Sequence, residues 1–69
     1  MIKIGRYKHY KDKDYEVIGT ARDSETLEDM VVYRALYGDY DLWVRPAKMF
    51  EEFVEIDGQK IPRFDYIGE

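Results

Sequence analysis

Along most of this chain apolar and polar positions alternate with a period of two, the pattern of strands with one buried and one solvated face. In Gly5 to Lys11, Tyr7 and His9 alternate with Arg6, Lys8 and Tyr10, which predicts a first strand. Asp12-Lys13-Asp14 reads as a polar turn. Tyr15 to Arg22 reads as a second strand, with β-branched Val17 and Ile18 and a bulge or close backbone approach at Gly19. Met30 to Tyr37 is the densest apolar run and predicts a strand at the centre of the sheet, buried on both faces. Gly38-Asp39-Tyr40-Asp41 turns the chain, and Leu42 to Arg45 returns beside it.

Between the second and third strands, Asp23 to Asp29 starts with turn formers and carries like charges. It is too short for a stable helix and reads as an ordered loop. Pro46 has no amide proton to give to a ladder and stops the fourth strand. The same proline suits the opening of one helical turn through Phe50. Glu52 to Ile56 is a fifth strand, Asp57-Gly58 is a hairpin turn, and Gln59 to Tyr66 returns with an interruption at Pro62. Residues 1–69 have no room for a second domain. The expected architecture is mainly β: a small Src-homology-3-like barrel of about five strands with one short helical turn. Closure into a barrel protects strand edges in so short a chain. A flat antiparallel sheet with one short helix over it is the competing layout.

Composition narrows the partners. The chain has 69 residues and no cysteine, so it has neither a disulfide nor a thiolate metal site. No apolar run is long enough to span a bilayer, and residues 1–6 lack the apolar stretch of a secretory signal. A cytoplasmic location without membrane association is the expectation. Net charge is −4, which disfavours non-specific nucleic-acid binding. The N-terminal segment is nonetheless basic, with Lys3, Arg6, Lys8, Lys11 and Lys13 against Asp12 and Asp14. These lysines can form a basic face or simply keep a strand edge soluble.

The chain resembles the bacterial family called domain of unknown function 1653. The resemblance runs through Gly5-Arg6-Tyr7-Lys8-His9-Tyr10, Tyr15-Glu16-Val17 and Ala21-Arg22-Asp23-Ser24-Glu25-Thr26-Leu27-Glu28. It continues in Val32-Tyr33-Arg34-Ala35-Leu36-Tyr37-Gly38, Leu42-Trp43-Val44-Arg45-Pro46, Met49-Phe50 and Pro62-Arg63-Phe64. It implies a small barrel-like β domain and carries no biochemical function. Asp23 is a departure, since the resemblance implies histidine there in many relatives; a metal or proton-transfer role is not carried over to it.

Catalytic chemistry finds little support. His9 is the only histidine, and a lone histidine on a half-buried strand is more often packed than catalytic. Ser24 and Thr26 need a base within reach to act as nucleophiles. Glu51-Glu52 and Glu28-Asp29 read as solvated charge, because neighbours on a strand point to opposite faces. No phosphate loop, cofactor signature or metal motif is present, and no cofactor is expected.

Two segments are candidate recognition surfaces. In Arg22-Asp23-Ser24-Glu25-Thr26, Arg22 suits bidentate contact with a carboxylate or phosphate, and Ser24, Glu25 and Thr26 supply further hydrogen bonds. The plainer alternative has Ser24 and Thr26 capping a turn while Arg22 pairs with Glu25 or Glu28. In Trp43-Val44-Arg45-Pro46, Leu42 and Val44 are read as facing the core, which puts Trp43 and Arg45 together on the opposite face. Tyr37 and Arg63 are added to this surface; the alternatives are a tryptophan lid on the barrel and a surface ion pair for Arg63. Tyr15 and Tyr33 are read as core, and Tyr7, Tyr10, Tyr37 and Tyr40 as partly exposed.

The leading expectation is a non-catalytic binding module for a peptide segment or small anionic ligand, contacted by Arg22, Tyr37, Trp43 and Arg45. Single-stranded nucleic-acid binding by the basic first strand, with Tyr7 and Tyr10 stacking, comes second. A small hydrolase-type enzyme using His9, Ser24 and Glu25 comes third. The chain is expected to be a monomer or a weak homodimer.

Overall fold

The computed structural model describes residues 2–69. Strand β1 (Gly5–His9) pairs antiparallel with β2 (Lys13–Arg22), and β2 pairs with β3 (Asp29–Ala35). The chain then forms β4 (Leu42–Pro46) against β3 and a single helical turn, α1 (Ala47–Phe50). A hairpin of β5 (Phe53–Ile56) and β6 (Gln59–Pro62) follows, and β7 (Phe64–Gly68) returns to β1. The result is a five-stranded sheet in the order β4-β3-β2-β1-β7 and a separate two-stranded sheet.

The fold is mainly β with one short helical turn, as expected. The sheet is open: β4 and β7 are its two edges and do not meet. What covers the inner face instead is aromatic. Phe50, from α1, stacks on Phe64 with centroids 4.2 Å apart. Tyr7 and Tyr33 meet Phe50 at 5.2 and 5.6 Å, and Val17 and Val31 complete the core. Four aromatic rings thus do the covering that closure would have done, since each buries a large area.

The local signals mostly act where the sequence places them. Gly19 lies beside a bulge, because the β2–β3 register skips a residue between Val17 and Gly19. Asp57 and Gly58 have φ of 52° and 79°, so both central hairpin residues adopt the left-handed conformation of a type I′ turn. Residues 23–28 form a turn rather than a helix. Gly5 fits where nothing larger does: its φ is 141°, and a Cβ there would lie 2.8 Å from the Gly68 carbonyl oxygen.

Several expectations are corrected. The β1–β2 turn lies at residues 10–12, with Asp12 at φ 69°. The central strand is β2, and β3 alternates half-buried with buried positions instead of being buried on both faces. Tyr7 is core rather than partly exposed, because it shares the inner face with Gly5. Pro46 is the last residue of β4 instead of lying beyond it. The face assignment of β4 is also inverted. Trp43 and Arg45 pair with Tyr33 and Val31, whose side chains are core. Trp43 and Arg45 therefore line the inner face, and Leu42 and Val44 point outward into solvent. An edge strand has no neighbour to bury its outer aliphatic side chains, so apolarity does not reveal its inner face.

Candidate functional site

At the β4 end of the inner face, Tyr15, Tyr33, Tyr37, Trp43 and Arg45 line a cavity of about 210 Å³. Three strands and one turn build this cup. Tyr15 comes from β2, Tyr33 from β3, Trp43 and Arg45 from β4, and Tyr37 from the β3–β4 connection. The connection reverses around Gly38, with the Tyr40 amide donating to the Tyr37 carbonyl at 3.1 Å. That turn fixes the register that sets Tyr33 opposite Trp43.

Hydrogen bonds hold the cup walls in place. The Tyr15 and Tyr37 hydroxyls share a bond of 2.5 Å, with their rings edge-on at 5.5 Å. Burial first, and then this bond to Tyr37, push the Tyr15 phenol well above its ordinary value, so it stays protonated. Arg45 Nε donates to the Tyr33 hydroxyl at 3.3 Å, and its guanidinium sits 5.7 Å from the Phe64 ring centroid. No carboxylate pairs with Arg45 among the described residues. One edge of the guanidinium is therefore fixed by the fold, and its two terminal nitrogens have no acceptor among the described residues. Trp43 is 53% exposed and forms an open wall. The Lys13 ammonium lies 5.0 Å from the Tyr37 ring and adds positive charge at the rim. A planar cation held between aromatic walls suits a carboxylate carried on a small flat or apolar group.

His9 adjoins the cup without lining it. Its ring contacts Phe64 at 4.8 Å and Tyr15 at 6.1 Å, and its Nδ1 accepts the Lys11 amide at 3.1 Å. Burial, followed by the nearby positive charges of Arg63, Arg45 and Lys11, lowers its pKa below the ordinary value.

The other sequence candidates lie elsewhere. Arg22 pairs across the strands with Asp29, its guanidinium 3.8 Å from that carboxylate. Asp29 is four residues from Tyr33 along β3, about 13 Å from the cup at strand spacing. In the adjoining loop Asp23 Oδ1 accepts the amides of Glu25 and Thr26 at 2.8 and 3.1 Å, and Thr26 Oγ1 accepts the Glu28 amide. Those amides, Glu25 first, hold the Asp23 carboxyl below its usual value. Ser24, Glu25 and Thr26 thus belong to a turn capped mainly by Asp23, and Arg22 is an exposed ion-pair partner. Arg63 bonds to Glu52 at 3.5 Å and lies 5.9 Å from the Tyr10 ring, outside the cup. Of the eight candidates, Tyr37, Trp43 and Arg45 converge.

Tyr15 and Tyr33, expected in the core, also supply their hydroxyls to the cup, which their residue types alone do not reveal. A turn centred on Gly38 would have set Tyr33 against Trp43 by counting outward from the glycine. The structure also keeps His9 and Ser24 apart, because β2 runs its whole length between them, about 30 Å. In the basic N-terminal segment Lys8 pairs with Asp12 and Asp14 at 3.2 and 3.5 Å, and Tyr7, expected to stack, is buried.

An open antiparallel sheet, an aromatic inner face and a cup holding one guanidinium define a small β-sheet domain with a recessed surface site. A family model described as a protein of unknown function (DUF1653) matches residues 5–66, and this chain belongs to that family. Its structure is similar to a crystal structure of a DUF1653 protein from Bordetella bronchiseptica, with a TM-score of 0.89 and 36% identity over 97% of this chain and 88% of that one. No curated protein matches the chain.

Proposed function

We propose that this domain is a non-catalytic binding module that captures a peptide segment or small anionic ligand through the Trp43–Arg45 cup. The observation that carries the reading is Arg45, a cation tethered by Tyr33, ringed by aromatic side chains and left without a carboxylate among the described residues. A protein of net charge −4 that keeps one guanidinium unpaired in a recess favours an anion there over its remaining surface. At about 210 Å³ the cup is smaller than the pockets that enclose drug-sized ligands, and it suits one carboxylate-bearing side chain.

Trp43 is the only tryptophan and reports directly on the cup. Titration with N-acetylglutamate is expected to change its fluorescence saturably, and N-acetylglutamine amide, which has no carboxylate, to do so far more weakly. Arg45→Gln is expected to weaken N-acetylglutamate binding at least tenfold, since a hydrogen bond to a charged group contributes about 1.5–3 kcal/mol. Equal binding of the two probes, or unchanged binding to the variant, overturns the proposal.

A further inference from the structure

Resting on the cup reading above, we infer that the partner is an extended acidic peptide segment that adds to β4 as a sixth strand and sets a carboxylate against Arg45. The argument starts from the backbone. The Ala35 amide donates to the Asp41 carbonyl at 3.0 Å, so residues 35 and 41 form a hydrogen-bonded pair. Such pairs alternate along an antiparallel ladder. Trp43 and Arg45 therefore bond inward to β3, while Leu42 and Val44 direct both amide and carbonyl to the open side of β4. Pro46 shares their parity, which is why a residue without an amide proton is accommodated in this strand.

This edge is only partly protected, by Pro46 at its end and the inward-pointing Arg45. The β3–β4 register is continuous, without a bulge, and no lysine lies in β4. Leu42, Trp43 and Val44 are 53, 53 and 61% exposed. Natural sheets usually blunt such edges with charge, bulges or covering elements. The opposite edge, β7, fits that habit: its pairing with β1 is bulged, and it carries Asp65. On β4 the protection stops at Arg45 and Pro46, and Leu42 and Val44 each keep an amide and a carbonyl open for an added strand.

Geometry then specifies the added strand. Its residue facing Val44 exchanges two backbone bonds with it, and the residues on either side face Trp43 and Arg45 as close, non-hydrogen-bonded pairs. Those two neighbours project over the cup. One is acidic and meets the free nitrogens of Arg45; the other, two positions away, is apolar or aromatic and meets the exposed face of Trp43. The segment therefore reads acidic-x-apolar in an extended conformation. A second copy of this chain fits the edge less well. The apolar area offered by Leu42, Trp43 and Val44 is on the order of 300 Å², against roughly 800 Å² per partner in a stable dimer. β4 has no acid of its own, and Asp41 just before it faces Arg45 of a second copy only when two β4 strands pair antiparallel about Trp43, an arrangement that sedimentation detects. Main-chain bonds with alternate side-chain pockets are the established physics of strand addition.

The test uses a blocked octapeptide of threonine and valine carrying one glutamate and one phenylalanine two positions apart. It is titrated against Trp43 fluorescence and the backbone amide resonances of Leu42 and Val44. Saturable binding is expected, with both amide signals shifted. N-methylation of the peptide residue between glutamate and phenylalanine, which leaves the protein unaltered, is expected to weaken binding at least tenfold. Val44→Pro is expected to do the same while leaving N-acetylglutamate binding intact. Equal affinity of the methylated peptide overturns the inference. So does failure of the octapeptide where N-acetylglutamate still binds; failure of both removes the cup reading as well. A dimer seen by sedimentation at micromolar concentration and lost in Val44→Pro also overturns it, because a second copy then occupies the edge.

Discussion

Phe50→Ala and Trp43→Ala, measured side by side, separate the framework of this domain from its recognition surface. Phe50 is 2% exposed, lies flat on Phe64 at 4.2 Å and meets the edges of Tyr7 and Tyr33. Truncating a buried phenylalanine costs about 3–5 kcal/mol from lost transfer energy and the cavity left behind. A chain of 69 residues has a total stability of about 3.5–10 kcal/mol. Each kcal/mol moves Tm by about 4–8 °C at this size. Phe50→Ala is therefore expected to lower Tm by about 12–40 °C, or to unfold the chain outright. Trp43 already has 53% of its surface in water. Half the value of a buried large side chain is about 1 kcal/mol, so Trp43→Ala should lower Tm by less than about 10 °C. Thermal melts followed by far-ultraviolet circular dichroism, backed by urea titration, give both numbers. If Trp43→Ala costs as much as Phe50→Ala, the indole is a structural lid and the cup reading falls.

Other substitutions probe particular contacts. Gly5→Ala places a methyl group 2.8 Å from the Gly68 carbonyl in a left-handed conformation, and is expected to cost about 1–3 kcal/mol and to accelerate hydrogen exchange in β7. Equal exchange in the variant refutes the contact. Arg22→Ala removes an ion pair whose side chains are 66 and 74% exposed, and is expected to change stability by less than about 1 kcal/mol and leave N-acetylglutamate binding unchanged. Weaker binding in that variant puts the 22–26 loop back into the site. The depressed His9 pKa means that the folded state resists a proton the unfolded chain accepts near pH 6.5. Its contribution is complete above that pH and is lost as pH falls toward the folded value. Tm is expected to drop further between pH 7.5 and 5.5 in the wild type than in His9→Asn, and equal drops refute this.

Much of the framework was legible because its signals are local. Asp57-Gly58 supplies its own turn, Pro46 opens the helical turn, and Gly19 marks the irregularity in β2. The orientation of β4 was not legible, since Leu42 and Val44 look like core residues and lie on the outside of an edge. Whether a strand is central or at an edge depends on pairings distant in sequence, and the alternation within it carries no such information. The same holds for the open sheet: the Phe50–Phe64 stack joins α1 to β7, a contact no local pattern announces. The site was half visible. Trp43 and Arg45 stood out by type, whereas Tyr33 acquired its role only through the cross-strand register.

The β5–β6 hairpin hydrogen-bonds as a ladder only within itself. A two-stranded ribbon is marginal in water on its own, so this arm should be the first part of the molecule to open and the first cut by a protease. Its Asp57-Gly58 tip is accordingly the place where extra chain, such as a label or an affinity tag, can be inserted while the five-stranded sheet and the cup keep their shape.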